Sequence, residues 1–113
     1  MKALIAGAGI GGLAAGIALR QAGLDVQVFE RSRELHEIGA GLMIWPNGTR
    51  ALQALDVEVR ALTVQQMGFC NWRGRQLMED PMEAISERYG SDVAFVHRAD
   101  LQAALARSLA GMD

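Results

Sequence analysis

The chain has 113 residues, half of them apolar and 21% charged, with a formal net charge of −2. That length fits one domain and that apolar share can fill a core, while the mixed charges lack the basic stripe that a nucleic-acid partner requires. A single cysteine, Cys70, excludes an internal disulfide and a cysteine cage for metal, accords with a reducing, cytoplasmic setting, and reads as a small buried hydrophobe.

Met1-Lys2 followed by uncharged residues 3–19 imitates a signal peptide. Gly7, Gly9, Gly11 and Gly12 argue against it, because each interior glycine costs a helix about 1 kcal/mol, and the run is shorter than the ~20 residues of a membrane span. No membrane partner is expected.

Ala3-Leu4-Ile5-Ala6 is apolar without alternation, as in a parallel strand buried on both faces. Ile10, Leu13, Ala14, Ile17 and Ala18 then recur at helical spacing up to Gln21, and Gly23 stands where a helix-ending glycine belongs. Val26-Gln27-Val28-Phe29 is β-branched and aromatic and ends at Glu30. The three together occupy about thirty residues, the length that a parallel pair with a right-handed crossover needs.

Residues 31–41 read as a polar loop, Leu42-Met43-Ile44 as a short strand, and Pro46 as the first turn of a helix ending near Asp56. Residues 65–72 and 75–78 flank Arg73-Gly74, the sequence of a hairpin turn. Residues 93–96 predict another strand, leading into a helix over residues 100–109 with Leu101, Ala104, Leu105 and Leu109 on one face and Gly111 as its stop. In an alternating α/β chain such a helix should hand over to a further parallel strand. The expected fold is therefore α/β, a three-layer architecture with an incomplete, truncated parallel sheet.

The sequence Gly7-Ala8-Gly9-Ile10-Gly11-Gly12 is a G-x-G-x-x-G placed after a strand and before a helix. Gly7 allows the tight turn, Gly9 lets backbone approach a pyrophosphate, and Gly12 lets the helix sit close to the sheet. Gly16 extends that close contact by a turn. The helix start would offer unpaired N–H groups and the positive end of its dipole to a diphosphate. Glu30 lies eighteen residues beyond Gly12, near the ~20 expected of the acid that accepts hydrogen bonds from an adenosine ribose, and it would repel a 2′-phosphate even though Arg31 follows. These residues do not separate FAD from NAD, since both carry the same ADP half.

Three segments taken together, Gly7 to Gly12 with Glu30-Arg31, the run from Gly39 to Leu52 containing Trp45-Pro46-Asn47-Gly48, and Val96-His97-Arg98-Ala99-Asp100-Leu101, resemble the N-terminal region of the flavoprotein aromatic hydroxylases. That group includes salicylate, 3-hydroxybenzoate and 4-hydroxybenzoate hydroxylases, and the tryptophan-proline-asparagine-glycine run is also similar to FAD-dependent urate hydroxylases. The resemblance implies a Rossmann-like FAD/NAD(P)-binding fold, with residues 1–113 as the N-terminal part of an FAD-binding domain and the substrate domain absent; it implies FAD as cofactor, NAD(P)H as reductant and a small aromatic substrate. It implies that the backbone around Gly41 passes near the flavin end and that Arg98 reaches the FAD. The cofactor-binding set is then Gly7, Gly9, Gly12, Glu30, Arg31, Gly41 and Arg98. The Asp-Gly and Gly-Asp segments that such hydroxylases carry later are not in the chain, so no residue is assigned as catalytic. An NAD-dependent dehydrogenase and a non-catalytic nucleotide-binding fragment remain as alternatives, and oligomeric state is not legible.

Other residues carry bland readings. His36 and His97 lack metal-ligand spacing, so no metal is expected, and Arg50 reads as a surface helix arginine. Trp45 and Trp72 read as packing residues and the six methionines as core filler.

Overall fold

The computed structural model describes residues 1–33 and 40–112. Its first unit is β1 (Lys2–Ala6), α1 (Ile10–Gln21) and β2 (Asp25–Phe29), with the two strands parallel, Lys2 opposite Asp25 and Ala6 opposite Phe29. Parallel neighbours cannot be joined by a tight turn, so α1 supplies the crossover. The helix closes as its sequence predicts. Gly23 has φ +83°, its N–H donates to the Arg20 carbonyl, and the Leu24 N–H donates back to Leu19, a Schellman closure that only a residue tolerant of the left-handed region can make.

The chain continues through β3 (Gly41–Ile44), α2 (Pro46–Ala54), β4 (Ala61–Thr63), β5 (Gln66–Cys70), β6 (Gln76–Pro81), α3 (Glu83–Tyr89), β7 (Ala94–His97) and α4 (Arg98–Ala110). The Rossmann-like expectation is met by the β1-α1-β2 unit, but among the described residues parallel pairing is confined to it. β3, β7 and β4 form a separate antiparallel sheet with β7 in the centre, Gly41 opposite His97 and Ala61 opposite Val96. β5 and β6 form an antiparallel hairpin.

The core is a helix pair with strands beneath it. Leu13 and Ile17 of α1 meet Leu101, Ala104, Leu105 and Leu109 of α4, and Val96 and Val57 close the cluster. The predicted apolar face of the last helix is thus the buried one. Each fully buried aliphatic side chain contributes about 1.5–3 kcal/mol. Gly16 sets how near the helices come, because a Cβ there would lie 3.2 Å from Leu109 Cδ2 and 3.5 Å from Ile5 Cδ1. Arg20, in the last turn of α1, seals the far end. Its guanidinium donates to the Leu109 carbonyl at 2.9 Å, to the Met112 carbonyl, and to Val26 O of β2 at 3.5 Å.

Several expectations give way where burial is incomplete. β1 is not buried on both faces: Leu4 is 65% exposed, because α1 covers one side only and β2 is the sole strand paired with it among the described residues. The hairpin turn forms at Asn71 to Arg75, where Asn71 Oδ1 accepts from the N–H groups of Arg73 and Arg75 and Gly74 takes φ +80°. Two strands alone leave both faces open, so Cys70 is exposed rather than a buried hydrophobe. Trp72 is likewise exposed, with the Arg73 guanidinium 4.6 Å above its ring, and does not pack in the core. Of the methionines, Met82 is buried, whereas Met1 and Met78 are exposed. The radius of gyration is 16.9 Å, against about 13 Å for a compact chain of this length, in keeping with the open hairpin.

Candidate nucleotide-binding site

The glycine turn has the geometry that its spacing predicts, and each glycine is needed for a different reason. Gly7 leaves β1 with φ +102°, a region that L side chains rarely adopt, and its N–H donates to Phe29 O at the tip of β2. Gly9 is the residue at which α1 begins, and its carbonyl accepts the first ladder bond, from Leu13 N–H at 2.9 Å. A Cβ on Gly9 would meet nothing within 4 Å, so its absence leaves space rather than relieving a clash. Gly12 is the opposite case: a Cβ there would lie 2.0 Å from the Gly7 carbonyl oxygen and 3.4 Å from Ile5 Cγ2. Helix, turn and strand touch at that point.

Among the described residues no acceptor meets the N–H groups of Gly9, Ile10, Gly11 or Gly12. The first turn of α1 contains no acidic residue and its start makes no side-chain cap. Four backbone donors without a protein acceptor and the positive end of a twelve-residue helix therefore lie together at the start of α1, an arrangement suited to an anion.

Glu30 lies beside that mouth and is tied to it. Oε2 accepts from the Ala8 N–H at 2.8 Å, and Oε1 accepts from the Ser32 N–H at 2.9 Å. The sequence reading gave this carboxylate a ligand role only; it also holds the turn. Those two backbone donors, Ser32 first and Ala8 second, draw its pKa below the ordinary 4.5 despite a small opposing effect of burial. A depressed carboxylate contributes stability that is complete above the unfolded value and lost as pH falls through the native one. The melting temperature of the chain relative to Glu30→Gln is accordingly expected to be constant from pH 7 down to about pH 5 and to shrink below pH 4.5, measured by circular dichroism.

Arg31 follows Glu30 at an exposed bend. Arg98 opens α4 directly after β7, and its N–H donates to the Ala40 carbonyl at 3.0 Å, which brings it to the start of β3 and hence to Gly41. Gly41 has a packing reason of its own, since a Cβ there would lie 2.4 Å from Phe95 Cε1. A shallow groove of about 280 Å³ runs past Gly41, Phe95, His97 and Asp100. The site residues thus form two groups, the glycine turn with Glu30, and Gly41 with Arg98.

A residue absent from the sequence reading links the two groups. Gln102, on α4 one turn beyond Arg98, is 5% exposed and donates from Nε2 to the Ala8 carbonyl at 2.9 Å. His97 and Arg50 are exposed, and His36 lies outside the described residues. A cavity of about 470 Å³ between the start of α2 and α3 is lined by none of the predicted site residues; Trp45 borders it and is 42% exposed, more open than a packing role implies.

Residues 5–43, spanning the glycine turn and Glu30, match the family of NAD(P)-binding Rossmann-like domains. The chain is 36% identical over 107 residues to the FAD-dependent urate hydroxylase of Klebsiella pneumoniae subsp. pneumoniae, covering 90% of this chain and 28% of that protein. It is 34% identical over 122 residues to the 3-hydroxybenzoate 6-hydroxylase of Polaromonas naphthalenivorans, covering 93% and 28% respectively. The crystal structure of Klebsiella pneumoniae HpxO complexed with FAD and uric acid superposes with a TM-score of 0.86 at 34% identity, over 95% of this chain and 28% of that one. The chain therefore spans a little over a quarter of the length of the relatives it matches. Over 90% or more of its own length, then, the chain is similar to part of these hydroxylases.

Proposed function

We propose that this chain binds FAD at the glycine turn and is the N-terminal, FAD-binding part of a flavin-dependent monooxygenase that hydroxylates a small aromatic or heterocyclic substrate with NAD(P)H and oxygen. The observation that carries the reading is the set of amides from Gly9 to Gly12 left without a protein acceptor beside the carboxylate of Glu30. The hydroxylases named above, FAD-dependent by name in the urate case, support FAD over other ADP-containing cofactors.

In this reading Gly7 shapes the turn, Gly9 leaves room for the diphosphate, and Gly12 lets the helix mouth close on it. Glu30 keeps lone pairs beyond the two that accept from Ala8 and Ser32, and these receive the ribose hydroxyls. Arg31 flanks the ribose, the backbone at Gly41 runs near the flavin end, and Arg98 contributes a fixed positive charge with a planar fork of donors. FAD, when bound, supplies the redox chemistry of oxygen activation, and the protein contributes binding and orientation. A cytoplasmic setting accords with a single cysteine, Cys70, that can form no internal disulfide, and among the described residues no helix is long and apolar enough to cross a membrane.

Titration with FAD, ADP and NAD tests the proposal. Saturable quenching of flavin fluorescence, with ADP as competitor, is the expected result. Retention of NAD without affinity for FAD would favour a dehydrogenase instead.

A further inference from the structure

The tryptophan-proline-asparagine-glycine run that opens α2 and the short helix α3 take no part in the nucleotide site, yet together they wall the cavity of about 470 Å³. On α3 the lining residues are Ala84, Ile85, Arg88 and Tyr89, and at 3.6 residues per turn these four fall on one side of the helix while Glu83 and Glu87 fall on the other. The facing wall is the start of α2, with Trp45 in it. Two open aromatic rings therefore share the cavity, Trp45 at 42% exposure and Tyr89 at 50%.

The walls are tied to each other and to the sheet. Gly48 comes so close to β3 that a Cβ there would lie 2.6 Å from Ile44 Cγ2. One residue on, Thr49 Oγ1 is within hydrogen-bond distance of the Ser91 hydroxyl, at 2.7 Å, and of the Asp92 carbonyl, at 3.0 Å, both just beyond α3. Only one lining side chain, Arg88, is charged. Its guanidinium stands 5.5 Å from the centre of the Tyr89 ring, and no carboxylate pairs with it among the described residues. A guanidinium stays charged and presents a planar fork matched to a carboxylate, and aromatic faces beside it suit a flat ring. We propose that this cavity binds a small planar aromatic anion, its ring against Trp45 and Tyr89 and its charge on Arg88. Trp45 follows β3 at the end opposite Gly41, roughly 13 Å away along the strand, so the cavity is a second site and does not depend on the FAD reading.

The test follows the indole N–H signals of Trp45 and Trp72 by NMR as benzoate is added, with benzamide, similar in shape and uncharged, as the comparison. Benzoate is expected to shift Trp45 saturably and to leave Trp72, in the hairpin turn, unmoved, and benzamide to bind about fivefold more weakly. Arg88→Met, at an exposed position that leaves the core intact, is expected to weaken benzoate about fivefold and benzamide by less than about twofold, whereas Tyr89→Leu weakens both. A Trp45 signal that does not move overturns the site. Benzamide binding as tightly as benzoate, or Arg88→Met binding benzoate as the parent does, overturns the anion. Saturating FAD is expected to leave the benzoate titration unchanged, and displacement of benzoate by FAD would merge the cavity with the nucleotide site and overturn the proposal. A chain that binds benzoate in this way but no FAD keeps the second site and removes the FAD reading.

Discussion

Replacing Gly12 by alanine is expected to abolish FAD binding and to lower the melting temperature by roughly 10–20 °C, the equivalent of about 3 kcal/mol in a domain of this size. The added methyl would sit 2.0 Å from the Gly7 carbonyl oxygen, a backbone atom fixed by the turn, with Ile5 behind it. No side chain can rotate aside, so α1 must move off β1 and the amide cluster disperses. Gly9→Ala provides the contrast that assigns this loss to geometry rather than to glycine content. The φ of −72° at Gly9 suits any residue and a Cβ there meets nothing. That variant should melt within about 0.5 kcal/mol of the parent, as surface substitutions do, yet bind FAD at least tenfold more weakly, because the methyl occupies the space that the diphosphate needs. Melting curves and flavin fluorescence quenching, run on both variants, check the pair.

Arg20→Met is expected to cost about 2–4 kcal/mol without touching the turn, since bonds from a charged donor contribute more than neutral ones. The guanidinium joins three elements through carbonyls of Val26, Leu109 and Met112, two of which lie at the C-terminal end of α4 where the helix dipole favours a cation. Methionine retains the aliphatic stem but orphans those carbonyls. Lysine at the same position should recover only part of the loss, because one ammonium cannot reproduce a planar fork spread over three acceptors. Denaturant unfolding of the three proteins gives the comparison, and equal midpoints for parent and methionine variant would refute it.

The β-α-β unit was legible because its signals are local. Helical periodicity and punctuating glycines delimit Ile10–Gln21, and Gly7 and Gly23 have the positive φ that a turn and a helix end require. The close approach of helix and strand at Gly12 followed from spacing alone, whereas the bond from the Ala8 amide to Glu30 did not. What escaped depends on contacts between distant segments. An apolar run such as Val93 to Val96 signals a strand but not its direction, so the antiparallel placement of β7 between β3 and β4 was not foreseen. β4, exposed at all three residues, and α3, which buries none, carry too little apolar pattern to be recognised. Gln102 was invisible for a related reason. A glutamine in a helix reads as a solvent-facing residue, and its acceptor is a backbone carbonyl that no side-chain pattern reports. The exposures of Cys70 and Trp72 accord with a hairpin that pairs with no third strand among the described residues.

Three ties join the end of the chain to its first unit: Gln102 to the Ala8 carbonyl, Leu109 against Gly16, and Arg20 to the carbonyls of Leu109 and Met112. During synthesis the opening third of the polypeptide leaves the ribosome with its glycines in place but without the element that shapes and braces them. The turn is therefore fully braced only once residues beyond 98 have emerged, and closing a loop of some ninety residues is expected to be slower than forming the strand-helix-strand that first meets the eye.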